Sequence, residues 1–311
     1  MNCLTHKRPL RILIGGSPCT YWSIAQKPDK REIINQGMGW ELFLNYVIAK
    51  DKFQPDFFLY ENNESISVMI QHEIEKALGV QLLHIDSAIV SAQTRRRIYA
   101  TNINVTKELK DKNIKIKDIL DYSAHNVNLI SEVKFNGVDD TKNNNKTVRI
   151  GTIGKGGQGE RVYSINGKSC TLSANGGGRG AKTGLYLIDG VVRKLTPLEA
   201  ERLQTMPDNY TLCEGVSETQ RYKCIGNGWT AEVIMWLLSH IDVPKDYPIE
   251  VLSMYDGIAT GMYCLEQLGF TNITYKSYEI DKYAIKVAMK HYPNIIQCGD
   301  AFQLRDENWS Y

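Results

Sequence analysis

Ile249-Glu250-Val251-Leu252-Ser253-Met254-Tyr255-Asp256-Gly257-Ile258-Ala259-Thr260-Gly261 is the stretch on which the fold turns. A strand runs into a glycine-bearing turn, and a helix follows with Met262, Leu265 and Leu268 on its inward face. Residues 276–280 form a second strand that carries Glu279, 23 positions after Asp256. Residues 294–298 form a third, followed by Gly299-Asp300. A strand, a turn, a helix and a strand-end acid follow the logic of a nucleoside site: backbone approaches the ligand at the glycines and a carboxylate takes the ribose hydroxyls. The spacing from Asp256 to Gly261 is not the pyrophosphate fingerprint, which disfavours NAD. Asp300, at the next strand end, is placed to accept a hydrogen bond from an adenine amino group. Ordinary α/β turn chemistry with no ligand is the alternative.

The same rhythm runs through the N-terminal hundred residues. Arg11-Ile12-Leu13-Ile14 is a buried strand ending in Gly15-Gly16-Ser17-Pro18. Trp40, Phe43, Leu44 and Val47 share a helix face, and Pro55 closes that unit. Phe57-Phe58-Leu59-Tyr60 is the next strand. Ile66, Met69, Ile70, Ile74, Ala77 and Leu78 mark an amphipathic helix stopped by Gly79, and residues 80–85 a further strand. Such β-α-β-α alternation means an α/β sheet covered by helices. The pattern breaks near residue 101. From there to about 190 the chain is polar, with Asn143-Asn144-Asn145 and dense glycine between Gly151 and Gly184. This reads as a small, irregular, β-rich inserted domain. Thr196-Pro197-Leu198-Glu199 restores the helical signal, with a cap, a proline at the first helical position and a capping box. A further helix spans roughly 230–241, and Pro244 and Pro248 mark a linker. The expected division is 1–100, 101–190 and 191–311.

Composition narrows the class. At 311 residues, 42% hydrophobic and 23% charged, the chain suits a globular protein with a sizeable core. No apolar run approaches the ~18 residues of a membrane span. Ile12-Leu13-Ile14, after Lys7, Arg8 and Arg11, is too short for the core of a secretion signal. Seven scattered cysteines without a C-x-x-C pair argue against a disulfide framework or zinc ribbon and for a reducing, cytoplasmic setting; no metal is expected. With a net charge of +2, any nucleic-acid binding must come from a local basic face.

Three N-terminal features carry chemistry. Cys19 follows Gly15-Gly16-Ser17-Pro18 at the mouth of a sheet, where a thiol needs little help to become a nucleophile; a small buried hydrophobe is the alternative. Glu61 ends a strand and precedes Asn62-Asn63, a position equally open to a solvated acid. Gln93-Thr94-Arg95-Arg96-Arg97 is either solvated surface or a cationic edge, with alternation putting Arg95 and Arg97 on one face toward a phosphate or base carbonyl.

Taken together these residues resemble the DNA (cytosine-5) methyltransferases. The likeness rests on Gly16-Ser17-Pro18-Cys19, Glu61-Asn62, Gln93-x-Arg95-x-Arg97, Leu195-Thr196-x-x-Glu199-x-x-Arg202-Leu203-Gln204-x-x-Pro207-Asp208, and Gly226-Asn227. The family's cofactor blocks resemble residues 255–261, 278–281 and 299–300. They normally come first and here come last, so the sequence resembles a circular permutant covering everything but roughly 101–190. The 28 residues between Asp300 and Pro18 across the cut (301–311 and 1–17) reach far beyond two or three strand spacings of about 4.8 Å. Two departures stand out. Ala259-Thr260 replaces glycine, as in the vertebrate de novo enzymes, and Glu61-Asn62-Asn63 lacks the usual third-position valine.

The resemblance implies a Rossmann-like S-adenosylmethionine-dependent sheet and methyl transfer to C5 of a flipped cytosine in double-stranded DNA. Cys19 would attack C6, Glu61 would hold N3, and Arg97, with Arg95 beside it, would meet O2. Glu279 would take the ribose, Ile280 and Tyr255 the adenine faces, and Asp300 its amino group. Asn227 and Trp229 would lie by the methionine end, with Pro18, Leu42, Asp256, Gly257, Ile258, Thr260, Gly261 and Ala301 completing the site. Residues 20–37 would be the lid. Ser17, Ser23 and Gln93 would face DNA, as would Gln158, Arg161 and Arg179, with Lys155 and Lys182 near. A monomer of prokaryotic or phage origin is expected, and restriction–modification or solitary service stays open. An RNA cytosine methyltransferase and a non-catalytic DNA-binding relative are the rivals. The first lacks its Cys-Phe-Thr signature here, and the second tends to lose residues that all stand in this chain.

Overall fold

The computed structural model describes residues 8–24, 26–123, 133–141, 145–174 and 179–311; Lys7, Asn143, Asn144 and the glycines at 176–178 lie outside the described residues. In chain order the elements begin with β1 (Leu10–Gly15), α1 (Met38–Phe53), β2 (Phe57–Asn63), α2 (Val68–Leu78), β3 (Leu82–Asp86) and β4 (Arg96–Thr101). Five short strands follow: β5 (Lys134–Phe135), β6 (Arg149–Thr152), β7 (Arg161–Ser164), β8 (Leu185–Ile188) and β9 (Val191–Lys194). Then come α3 (Pro197–Leu203), α4 (Glu218–Asn227) and α5 (Ala231–Leu238). The last group is β10 (Ile249–Met254), α6 (Thr260–Gln267), β11 (Ile273–Tyr278), α7 (Lys282–His291) and β12 (Ile296–Gln297).

These elements form two compact units. The first comprises Met1–Ile85, Arg97–Thr106 and Leu237–Tyr311, and the second Asp86–Arg96 and Lys107–Trp236. The expected boundaries at 100 and 190 therefore shift. Leu195, Ala200 and Leu203 from the α3 region and Tyr222 and Ile225 of α4 share one core with Ile116, Tyr163, Leu172 and Tyr186. An amphipathic helix joins whichever core meets its stripe, and α3 and α4 meet that of the second unit.

The first unit is a seven-stranded sheet in the order β12-β11-β10-β1-β2-β4-β3. β12, β11, β10, β1 and β2 run parallel, and β4 pairs antiparallel with β2. From the centre the chain proceeds one way through β10, β11 and β12 and the other way through β1 and β2. The reversal between β10 and β1 is a topological switch point, and ligands bind beyond the carboxyl ends of strands there. Residues 10–15 pair in register with 249–254, so Gly15 meets Met254 at those carboxyl ends. Ile12, Leu13, Ile14, Val251, Leu252 and Met254 are fully buried, as central parallel strands require. Phe43, Tyr46, Ala49 and Phe53 of α1 and Ile70, Ile74 and Leu78 of α2 share one core with Leu13, Leu252 and Met254. α2 starts where Ser67 accepts the Ile70 N–H and, as expected, stops at left-handed Gly79.

The second unit holds the β-rich insert as a five-stranded sheet, β5-β6-β7-β8-β9. Its pairs are antiparallel except β7 with β8. The capping box at α3 forms as read: Thr196 Oγ1 accepts the Glu199 N–H at 3.2 Å, and Glu199 Oε2 accepts the Thr196 N–H at 2.7 Å. Glu199 is also buried in a two-pronged pair with Arg193, both contacts at 2.7 Å.

Candidate active site

The loop carrying Cys19 leaves the carboxyl end of β1 and turns at once into a single 3-10 turn, Cys19–Tyr21. Cys19 is half-buried and Pro18 exposed. Beside it, β2 delivers Tyr60, Glu61 and Asn62, whose side chains alternate between the two faces of the strand. Glu61 pairs with Arg97 of β4, Oε1 to Nε at 2.9 Å, both side chains 13% exposed. The register explains the contact: Glu61 lies opposite Tyr99 and Asn63 opposite Arg97, which makes Arg97 the diagonal neighbour of Glu61. Gly16 presses on the same acid. A methyl group there would sit 2.6 Å from the Glu61 carbonyl oxygen and 3.1 Å from its Oε2, so only glycine lets the loop approach.

Arg31 and Glu32 bring the loop after Cys19 back to its own start, with the Glu32 N–H on the Tyr21 carbonyl at 2.9 Å. Arg31 donates from Nε to the Trp22 carbonyl at 3.0 Å and from its guanidinium to the Ser65 carbonyl. Glu32 accepts the Gly39 N–H at 2.9 Å, and Trp22 is fully buried. Ser23 is half-buried in this loop.

Other expected residues hold different posts. Arg95 and Arg97 take different partners. Arg95 precedes β4, is 3% exposed, and donates to the carbonyls of Gly226 and Gly228 at 3.2 and 2.8 Å, bracing the turn of Asn227 and Trp229 in the second unit. Gln93, expected toward DNA, is fully buried: its amide donates to Leu203 O and Gln204 Oε1, and its oxygen accepts the Leu172 N–H. Ser17, also expected toward DNA, is 4% exposed and bonded to Tyr60 and Asn62.

The turn after β10 contains three left-handed residues, Tyr255 (φ 57°), Gly257 (φ 64°) and Ala259 (φ 60°). A non-glycine residue in that region costs about 1–2 kcal/mol, so the surroundings must hold the turn. Tyr255 donates to the Leu42 carbonyl at 2.8 Å and accepts from Asn45 at 3.2 Å. Burial, opposed by the Asn45 bond, pushes its phenol up to about 12, so it stays a neutral donor. Asp256 turns inward, accepting from Ser253 and Tyr275 at 2.6 Å each and from Ser277 at 3.1 Å. Its carboxylate thus works inside the protein, where a ligand contact was expected. Gly261 lies against β1: a methyl there would be 2.2 Å from Ile14 Cδ1 and 2.8 Å from the Tyr275 hydroxyl oxygen. Ile258, Thr260 and Ala301 are buried beside this turn and the next strand end.

Glu279 is organised by three backbone donors: Gly257 N–H to Oε2 at 2.8 Å, and Ile280 and Asp281 N–H to Oε1 at 2.8 and 2.7 Å. Asp300 is exposed and caps the following 3-10 turn through the Phe302 N–H. Ile280 is 71% exposed, and a methyl on Gly257 would meet nothing within 4 Å. An open backbone, an apolar side chain facing solvent and two strand-end acids fit an adenosine with a ribose diol. The residues present suit S-adenosylmethionine.

In the second unit Gln158, Arg179 and Lys155 are exposed and Arg161 half-buried. The Gly-rich loops touch, with Gly180 N–H bonded to the Gly159 carbonyl at 2.8 Å. Lys182 donates to the Thr219 carbonyl. Sequence reasoning missed Tyr60, Ser253, Tyr275 and Ser277 as supports. For Tyr60 the signal was available: it and Asn62 flank Glu61 in a period-two strand.

Residues 5–242 match the family described as C-5 cytosine-specific DNA methylase. The chain is similar to the Type II methyltransferase M.HhaI of Haemophilus parahaemolyticus, with 31% identity over 252 residues, 74% of this chain and 75% of that one. It is 30% identical over 244 residues to M.SsoII of Shigella sonnei, covering 72% and 61% of the two chains. Among solved structures, the Entamoeba histolytica methyltransferase EhMeth shares the fold, with a TM-score of 0.50 and 16% identity over 75% of this chain and 78% of that one.

Proposed function

The chain belongs to the C-5 cytosine-specific DNA methylases and methylates C5 of cytosine in DNA; from that premise we infer that Cys19 is the nucleophile. Glu61 and Arg97 are its partners on the base, and residues 255–300 hold the methyl donor. S-adenosylmethionine, when bound, supplies the methyl group. Glu279 would take its ribose, Ile280 and Tyr255 its adenine faces, and Asp300 the adenine amino group.

The Cys19 thiolate forms a bond to C6 of the cytosine, and the electron pair moves onto the ring, making C5 nucleophilic. Cytosine is a poor electrophile, so that charge must be stabilised. Glu61 holds a proton at N3 and Arg97 donates to O2. Once C5 carries the methyl group that S-adenosylmethionine would supply, loss of the C5 proton to solvent returns its bonding pair to the ring, and the S–C6 bond breaks to release the Cys19 thiolate. C6 is inaccessible in a stacked base, so the target leaves the double helix at a cost of about a few kcal/mol. The segment 20–37 closes over it.

The observation that carries this reading is convergence on one carboxylate: Glu61 receives Arg97 on one oxygen, while the loop leading to Cys19 presses against the other through Gly16. In the second unit we assign base reading to Gln158, Arg161 and Arg179, since base contacts specify and phosphate contacts position. The cofactor segment follows the nucleophile segment, and the family match ends at residue 242, before β10. We take this as a permuted order, made workable by the pairing of β10 with β1. Among the described residues no helix is long and apolar enough to cross a membrane, and the described cysteines are free, which suits work in the cytoplasm.

The test is covalent capture. Duplex DNA with 5-fluorocytosine at the target, incubated with S-adenosylmethionine, should remain bonded to the protein through denaturation, because fluorine blocks the final elimination. Cys19→Ala should give no captured DNA. Capture by that variant would refute the assignment.

A further inference from the structure

Between β1 and Cys19 lie only Gly16, Ser17 and Pro18, and the aim of the thiol depends on how this short bridge is held. Asn62 Nδ2 donates to the Ser17 carbonyl at 3.1 Å, to Ser17 Oγ at 3.3 Å and to the Tyr60 hydroxyl oxygen at 2.9 Å. Ser17 Oγ and the Tyr60 hydroxyl are 2.7 Å apart, and either can donate. All three residues are buried, Tyr60 completely.

The torsions give this clasp its leverage. The Ser17 carbonyl belongs to the planar peptide bond that leads into Pro18, so holding the oxygen orients the plane. The pyrrolidine ring then fixes the next torsion, with Pro18 at φ −51°. Only the Pro18 ψ, here 121°, separates the held plane from the Cys19 backbone. Tyr60 is in turn immobilised from behind, its ring edge-on to Phe43 at 5.2 Å and to Tyr46 at 5.0 Å on α1. Burial keeps its phenol protonated, so a donor is always present. Neighbouring Glu61 alternates to the other face, where it meets Arg97.

We propose that Tyr60 is a positioning residue for this reaction: through Ser17 and Asn62 its hydroxyl fixes the peptide plane that aims the Cys19 thiol. The inference rests on Cys19 being the nucleophile. The clasp touches neither base nor methyl donor, so it acts on the attack step and leaves binding alone.

Tyr60→Phe keeps the ring packing and removes the hydroxyl, stranding Ser17 Oγ and Asn62 Nδ2 by one partner. The expected result is a roughly 10-fold slower capture of 5-fluorocytosine duplex and a matching fall in kcat, with KM for DNA and for S-adenosylmethionine within about 2-fold of the parent. Ser17→Ala breaks the same bond from the loop side. Because the two act on one contact, the double variant should be no slower than the slower single. Circular dichroism and melting identify folded variants; if Tyr60→Phe does not fold, the capture rate and KM of Ser17→Ala decide alone. Parental capture rates in the folded variants, multiplicative losses in the double, or a loss confined to KM would overturn the proposal. Cys19→Ala runs alongside: capture by it would mean that the nucleophile assignment fails, a result distinct from any of these.

Discussion

At the scale of single residues, Asp256 shows how a carboxyl in the turn after β10 can be a structural strut. Enclosure raises its pKa, the three hydroxyl donors lower it, and Glu279 nearby raises it again; the net shift is upward from the ordinary carboxylate value. A folded-state pKa above the unfolded one means that its contribution to stability is fully present below the unfolded value, ~3.9, and is lost as pH rises through the folded value. Asp256→Asn removes that titration. Its urea midpoint, compared with the parent's from pH 4 to 8, should gain on the parent as pH rises; parallel pH profiles would show that Asp256 is ionised in the native state without penalty. Cys19, Glu61 and Arg97 were legible in the sequence as candidates because each stands in a distinctive block, and the last two pair in the fold. The burial of Gln93 and Arg95 was not legible: their side-chain partners Leu172, Leu203, Gln204, Gly226 and Gly228 lie 79 or more positions away, and no local pattern announces them.

At the scale of elements, local chemistry was the better guide. The Gly79 stop of α2 and the capping box of α3 were written in adjacent residues, and each formed. The second unit's boundary was illegible, because the apolar stripes of α3 and α4 would serve any core that faced them. The close seat of α6 on β1 was likewise hidden, although the glycine that permits it was quoted as part of the turn. Gly261→Ala puts a methyl 2.2 Å from Ile14 Cδ1. Overpacking of this kind costs about 1–3 kcal/mol, and chemical denaturation should show a loss in that range. Because the turn from Tyr255 to Ala259 leads directly into α6, calorimetry on the same variant should also show weaker S-adenosylmethionine binding. A variant with parental stability would mean that β1 and α6 separate at no cost.

At the scale of the whole molecule, the partners at the middle of the larger sheet are far apart in the chain: Arg11 of β1 and Glu250 of β10 are 239 positions apart. The second unit's β7, β8 and β9 pair over much shorter separations. Closing a long loop before any contact rewards it slows folding, so pulse-labelled hydrogen exchange during refolding should find β7–β9 amides protected before those of β1 and β10. Simultaneous protection would mean that the two units fold as one. The parallel seam of β1 and β10 also sets a schedule during synthesis. β1 can pair with β2 early, but its other edge stays open until residue 254 has been made, roughly 10–50 s later at ~5–20 residues per second. An open apolar edge invites pairing with other chains. The adjacency that brings the Cys19 loop and the turn after β10 together therefore leaves the nascent protein most exposed to aggregation along the strand that will later lie at its centre.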